Sequence, residues 1–378
     1  MRKWGNNLIT VAGTLTLSLL LSLFLSSDIS LFAFMSKLNV GNDFHISDFY
    51  SRVANETQYA DGDIAIIDVA ECDRRQIAQA ITSVEACSPA VIGADISFAE
   101  RSDSITDRML VSAINNCRNI VLATFADYDK ETGRYVRTEF FSDSISGKGN
   151  YGNVRIETTS GLPTGVVRNF RLSYPLSDSD SLPSFAALIV RKSFPERCHA
   201  NDGVGYIFFP GKDYQSYKPS EIGENKEALK GKIVLLGNYS GSDDLHRTPV
   251  SEQTYGIGIH AATISTILDG DHVKEIHSAG NWILAIVISS AILLIKLGIQ
   301  SKKYGALTVR LCQILFIALT VLAGCYIFKT FHVVIDINKI VLMLMLSILS
   351  MDIWTGLYGF YSDISNHHKS GKNKIIQI

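Results

Sequence analysis

Five side chains in the middle of the chain are of types that do chemistry: the carboxylates Asp68, Asp95, Asp243 and Asp244, and the imidazole of His246. Carboxylates beside a histidine can bind a hard cation or an amine, or hydrogen-bond a polar ligand. Asp68 and Asp95 fall in or at the end of short apolar runs, 63–69 and 90–96, and the other three follow a run that ends at Gly237. In an open α/β sheet, ligands bind in the crevice outside the carboxyl ends of the strands. A structural reading competes, because Asp after a strand often caps the next helix or pins a turn. Both readings stand for Asp68 and Asp95; for the other three, loops behind strands are where binding residues concentrate. His260, beside Gly256 and Gly258, reads as a packing residue. The residue types name neither a metal nor a cofactor. There is no G-x-S-x-G, H-E-x-x-H or Walker phosphate loop, and no nucleophile is paired with a base at a recognisable spacing, so no enzyme is expected.

The elements that must position these groups are legible. Residues 63–69, 90–96, 120–125 and 232–237 are short apolar runs of the kind that form strands buried on both faces. Residues 74–86 carry Ile77, Ala80, Ile81 and Val84 at helical spacing; 104–117 and 258–268 also read as helices. Strands alternating with helices imply a parallel sheet. Residues 151–174 alternate differently and read as antiparallel strands. The expected fold is an α/β domain with a β-rich antiparallel insertion.

That domain lies between hydrophobic spans. One is expected at 8–27 and three at 281–299, 306–328 and 340–360, each long enough for a bilayer core, which takes about 20 residues. Positive charge beside span ends sets orientation. Arg2 and Lys3, then Lys296, Lys302, Lys303 and Arg310, then Lys369, Lys372 and Lys374 all favour the cytoplasmic side, against Lys329 and Lys339. The expectation is a multi-pass cell (inner) membrane protein, N-in and C-in. Its 40–278 domain lies outside, and a short basic tail at 361–378 lies inside. A cleaved signal peptide is the alternative for the first span, although Ser26-Ser27-Asp28 is no A-x-A site.

A formal charge of −2 argues against a nucleic-acid partner. Cys72, Cys87, Cys117 and Cys198 lie in the exported region, where disulfides persist. Cys87 and Cys117 both end a helix just before a strand, which puts them at one edge of the sheet and makes Cys87–Cys117 the expected bridge; buried thiols are the alternative. Cys312 and Cys325 read as small apolar residues in a span.

Residues 63–100, DIAIIDVAECDRRQIAQAITSVEACSPAVIGADISFAE, resemble the opening of CHASE2 domains, extracytoplasmic sensory modules of bacterial receptors. Residues 47–52 resemble the family's short opening motif. Residues 152–174, with Gly165-Val166-Val167-Arg168, resemble its central strands, and residues 231–269 are the nearest match. The resemblance implies a sensory module followed by three spans, often dimeric and usually continued by a cytoplasmic output domain. Here about eighteen residues follow the last span, too few for a packed domain. The expectation is therefore a sensor of an unknown small ligand, anchored in the lipid bilayer and acting on a separate effector protein. The alternatives are a docking subunit of an envelope complex and, third, a small transporter.

Overall fold

The computed structural model describes residues 2–25, 48, 50–52, 59–98, 104–137, 150–158, 165–197, 204–209, 212–241, 243–270, 274–299 and 304–375. Ser47 and Phe49 of the opening motif, Cys198, and Lys302 and Lys303 lie outside the described residues. Two compact units are formed, one of residues 43–274 and one of residues 1–42 with 275–378.

The first unit is built on six parallel strands: β1 (Tyr59–Asp68), β2 (Val91–Ala94), β3 (Ile120–Thr124), β4 (Tyr151–Asn153), β5 (Lys212–Tyr217) and β6 (Ile233–Gly237). Their order across the sheet is β5-β1-β6-β2-β3-β4, and every neighbouring pair is parallel. Alternation sorts the central residues into two faces. Ala65, Ile67, Ile92, Val234 and Leu236 pack under helices α2 (Arg74–Glu85) and α3 (Ser104–Asn116). Ile64, Ile66, Val121, Ile233 and Leu235 pack under α4 (Phe185–Ser193) and α5 (Gly256–Asp269). Helices cover both faces, which is why the central runs are apolar throughout.

Local chemistry fixes the boundaries. The Asp73 carboxylate accepts from the Gln76 amide at 2.8 Å, and the Gln76 side chain accepts from the Asp73 amide at 2.8 Å, a capping box that starts α2. At Gly152 a Cβ would stand 2.5 Å from Phe185 Cα, so only glycine lets β4 lie against the start of α4. This corrects one expectation. Within residues 151–174, Tyr151–Asn153 is a parallel edge strand, and the antiparallel pairing is made by Asn169–Arg171, with Val204–Tyr206, and by Ser173–Pro175, with Ser181–Pro183.

The expected Cys87–Cys117 bridge is not formed. Both residues do end their helices as the sequence implies. Each sulfur turns back along its own helix, Cys87 Sγ toward the Ser83 carbonyl and Cys117 Sγ toward the Ala113 carbonyl, both at 3.2 Å.

The second unit is helical: α1 (Arg2–Leu25), α6 (Ser278–Ile299), α7 (Gly305–Phe331) and α8 (Ile337–Ile375). Three candidate membrane spans are present among the described residues, Ser278–Ile299, Gly305–Phe331 and Ile337–Tyr358. The apolar part of α1, Ile9–Leu25, is shorter, so the structure gives three where the sequence suggested four. Even so, α1 packs along α8 and α6, with Thr14, Ser18 and Ser22 fully buried at four-residue spacing. Gly13 lies against the Trp354 ring, where a Cβ would approach to 2.2 Å. Asp352 accepts from Lys296 Nζ at 2.5 Å, joining α8 to α6, and Lys296 also donates to the Ile348 carbonyl at 3.3 Å.

Candidate ligand crevice

β6 lies between β1 and β2 but leaves the sheet in the opposite direction. After β1 and β2 the chain turns to α2 and α3 on one face; after β6 it turns to α5 on the other. Loops that part in this way open a crevice beyond the carboxyl ends of the strands. A hollow of about 650 Å³ lies there, bordered by Asp95, Arg155, Asn238, Asp244, His246 and His260 among others.

Asp95 follows β2, and its side chain is 14% exposed. A Cβ on Gly237 would meet Ile257 Cδ1 at 2.6 Å, so glycine at the end of β6 lets α5 close in beside Asp95. His260, one turn into α5, is 8% exposed and packs edge-on against Phe185. Its Nε2 faces Asp95 Oδ2 at 3.9 Å. Burial pushes the Asp95 carboxyl up to about 7, with the nearby Asp244 charge adding to the rise and His246 opposing it. Burial also pushes the His260 imidazole down to about 4, against the pull of Asp244 and a hydrogen bond to the Val154 backbone. At pH 6 the floor of the crevice is therefore a neutral acid facing a neutral imidazole.

The rim is more polar. Asp244 is held with φ of 61°, a left-handed conformation that Asp tolerates better than most residues. Its carbonyl accepts from the Gly256 amide at 3.0 Å, and its Oδ1 lies 2.9 Å from His246 Nε2. Asn238 shapes the loop: its Oδ1 accepts from the Gly241 amide at 2.9 Å and its Nδ2 donates to the Asp243 carbonyl at 3.2 Å.

Of the five groups singled out in the sequence, Asp95, Asp244 and His246 come together here. Asp243 is exposed and contributes a backbone carbonyl to the loop. Asp68 turns into a different hollow, beside Glu71, Cys72 and Lys218. There it accepts from Lys218 Nζ at 2.7 Å and from the amides of Ala70 and Tyr239, each at 3.2 Å. Burial opposes its charge, but the hydrogen bonds from Lys218, Ser240 and the two amides outweigh it and hold the carboxyl below its usual range. Asp68 thus ties the end of β1 to the loop behind β6. His260 and Asn238 belong to the crevice although the sequence did not mark them for it. The position of Asn238 directly after the strand-ending Gly237 was the available signal.

Among the described residues no group of three His, Cys, Asp or Glu side chains is placed to hold a metal ion. The arrangement suits a ligand that hydrogen-bonds or carries an amine, received by Asp95 and His260 below and Asp244 above. A CHASE2 domain model matches residues 36–296, more than half of the chain. No curated protein and no solved structure gives a significant match.

Proposed function

The chain belongs to the CHASE2 domain family, and from that premise we propose that it is a membrane-anchored sensor whose domain lies outside the cell membrane. CHASE2 is a sensory family, and three helices are long and apolar enough to cross a bilayer. In this reading α1 is a fourth span, supported by its packing along α8 and α6. The N-terminus and α8's basic end lie in the cytoplasm, as the positive charge near span ends favours.

The observation that carries the reading is the crevice, with Asp95, Asp244, His246 and His260 converging at the point where the sheet's connections part. A small polar ligand there contacts the loops behind β2 and β6 together. It can bias the protein between two states only through different affinities for them. The change passes along the helices to a separate effector protein.

The test is gentle detergent extraction from the native membrane, followed by quantitative identification of whatever co-purifies. Stoichiometric recovery of a cytoplasmic effector supports the sensor. Recovery of envelope structural proteins alone would replace it with a docking role.

A further inference from the structure

The Asp95 carboxyl borders the crevice and stays accessible from it, yet among the described residues no hydrogen bond reaches it. The His260 side chain, 10% exposed, faces Asp95 Oδ2 from 3.9 Å, beyond hydrogen-bonding distance. A largely buried carboxyl with no donor is costly, and the space between it and the imidazole is one that a ligand's N–H group fills. Asp244 borders the same crevice, and its charge is felt at Asp95.

The charges around the crevice are one-sided. Among the described lining residues the only guanidinium or ammonium is that of Arg155, and it is ion-paired to Asp127. His246 is already held beside Asp244. An anionic ligand would face two carboxylates with no uncommitted cation to receive it, whereas a cation is attracted by both. No group of three side chains is placed for a metal ion, so the cation that fits is an organic one. An ammonium carries donors and no acceptor, which matches carboxylate oxygens that lack donors.

The rest of the lining is apolar, with Val69, Ile77, Ile96, Phe125, Val154 and Ile156. The hollow of about 650 Å³ falls within the roughly 300–1,000 Å³ of small-molecule pockets, far more than an ammonium group fills alone. Taking the crevice as the ligand site of the proposed sensor, we infer that it receives a protonated primary amine on an apolar body the size of an aromatic ring. The ammonium lies between Asp95 and Asp244, and the body lies against the apolar wall. Burial holds the Asp95 carboxyl at about 7, so part of it carries a proton at neutral pH. An ammonium beside it favours the charged form, and binding expels that proton.

The test is calorimetric titration of the purified full-length protein in detergent, near neutral pH, with phenethylamine, phenylacetate and ethylamine. Phenylacetate keeps the ring but has an anionic head, and ethylamine keeps the head without the ring. Phenethylamine is expected to bind, ethylamine more weakly and phenylacetate not at all. Asp95→Asn should weaken phenethylamine by about tenfold or more, the scale of one charged hydrogen bond. Titration in buffers of different ionisation enthalpy should show proton release in the natural protein and none in Asp95→Asn. The Asp244 side chain is about half exposed, so Asp244→Asn, which should also weaken binding, serves if Asp95→Asn does not fold. The inference is overturned if phenethylamine does not bind at low millimolar concentration, if either of the other probes binds as well, or if binding survives both substitutions. Phenethylamine held at Asp95 with no effector recovered from the membrane would sustain this inference while removing the sensor reading. An effector recovered together with phenylacetate in the crevice would do the reverse.

Discussion

Asp48 and Arg168, 120 residues apart in the chain, meet as a buried two-pronged ion pair. Nε reaches one carboxylate oxygen at 2.7 Å and Nη2 reaches the other at 2.8 Å, with side chains 2% and 5% exposed. The pair fastens the first residues of the α/β unit to its centre. Asp48→Asn leaves the guanidinium buried without its counter-charge and should cost about 3–5 kcal/mol, read as a fall in the unfolding midpoint. Replacing both partners together, Asp48→Leu with Arg168→Met, should cost much less, because no charge is then stranded. Equal losses in the single and double variants would show that the charges are not what matters.

Asp95 and His260 give pH dependences of opposite sign. The Asp95 pKa is raised from 3.8 to about 7, so its contribution is full below about pH 4 and is lost as pH rises toward 7. The His260 pKa is lowered from 6.5 to about 4, so its contribution is full above about pH 6.5 and is lost as pH falls toward 4. Between about pH 4 and 6.5 the two slopes offset each other. Asp95→Asn should therefore produce a protein that loses stability on acidification through that range. His260→Gln should produce one that gains it. Thermal midpoints between pH 4.5 and pH 7.5, flat and alike in both variants, would dismiss the pairing.

Gly256 lies against Asp244, and a Cβ there would come within 2.1 Å of Asp244 Oδ2. Gly256→Ala should force that carboxylate from its place beside His246 at a stability cost of about 1–3 kcal/mol, the usual range for overpacking. A crystal structure or an unfolding curve of the variant reads the effect. An unmoved Asp244 at full stability would count against the close approach.

Lys296 and Asp352 join α6 to α8. Lys296→Ala should weaken the helical unit by about 1 kcal/mol, the scale of polar contacts between membrane helices, in detergent unfolding. The exchange Lys296→Asp with Asp352→Lys should restore part of the loss. No recovery in the exchanged protein would show that the two groups act separately.

Orientation can be read by labelling. Lys130→Cys, on an exposed turn of the α/β unit, should react with an impermeant maleimide in intact cells, whereas Tyr304→Cys should react only after permeabilisation. The reverse pattern would invert the topology.

What the sequence reveals depends on burial. β1, β2, β3 and β6 are legible because helices cover both of their faces and leave continuous apolar runs. β5, KDYQSY, sits at one edge and carries polar residues, so it shows no strand pattern; β4, three residues long at the other edge, reads as strand but does not reveal that its pairing is parallel. Asp95, Asp244 and His246 are readable because each follows a recognisable strand. His260 is not, because α5 is buried on every side and its histidine looks like one more core residue. The cysteines show the same limit: strand order put Cys87 and Cys117 at one edge, but sequence does not tell which way a sulfur points.

β6 occupies the middle of the sheet although it is the last of the six strands in the chain. β1 and β2 are therefore made long before the strand that separates them, and each waits with an open edge. Pairings this distant in sequence close slowly, and unpaired edges invite association with other chains. Folding of this unit cannot finish until residue 237 has emerged. The centre of the sheet is thus the part of the newborn protein exposed for longest, and the step on which chaperones would act.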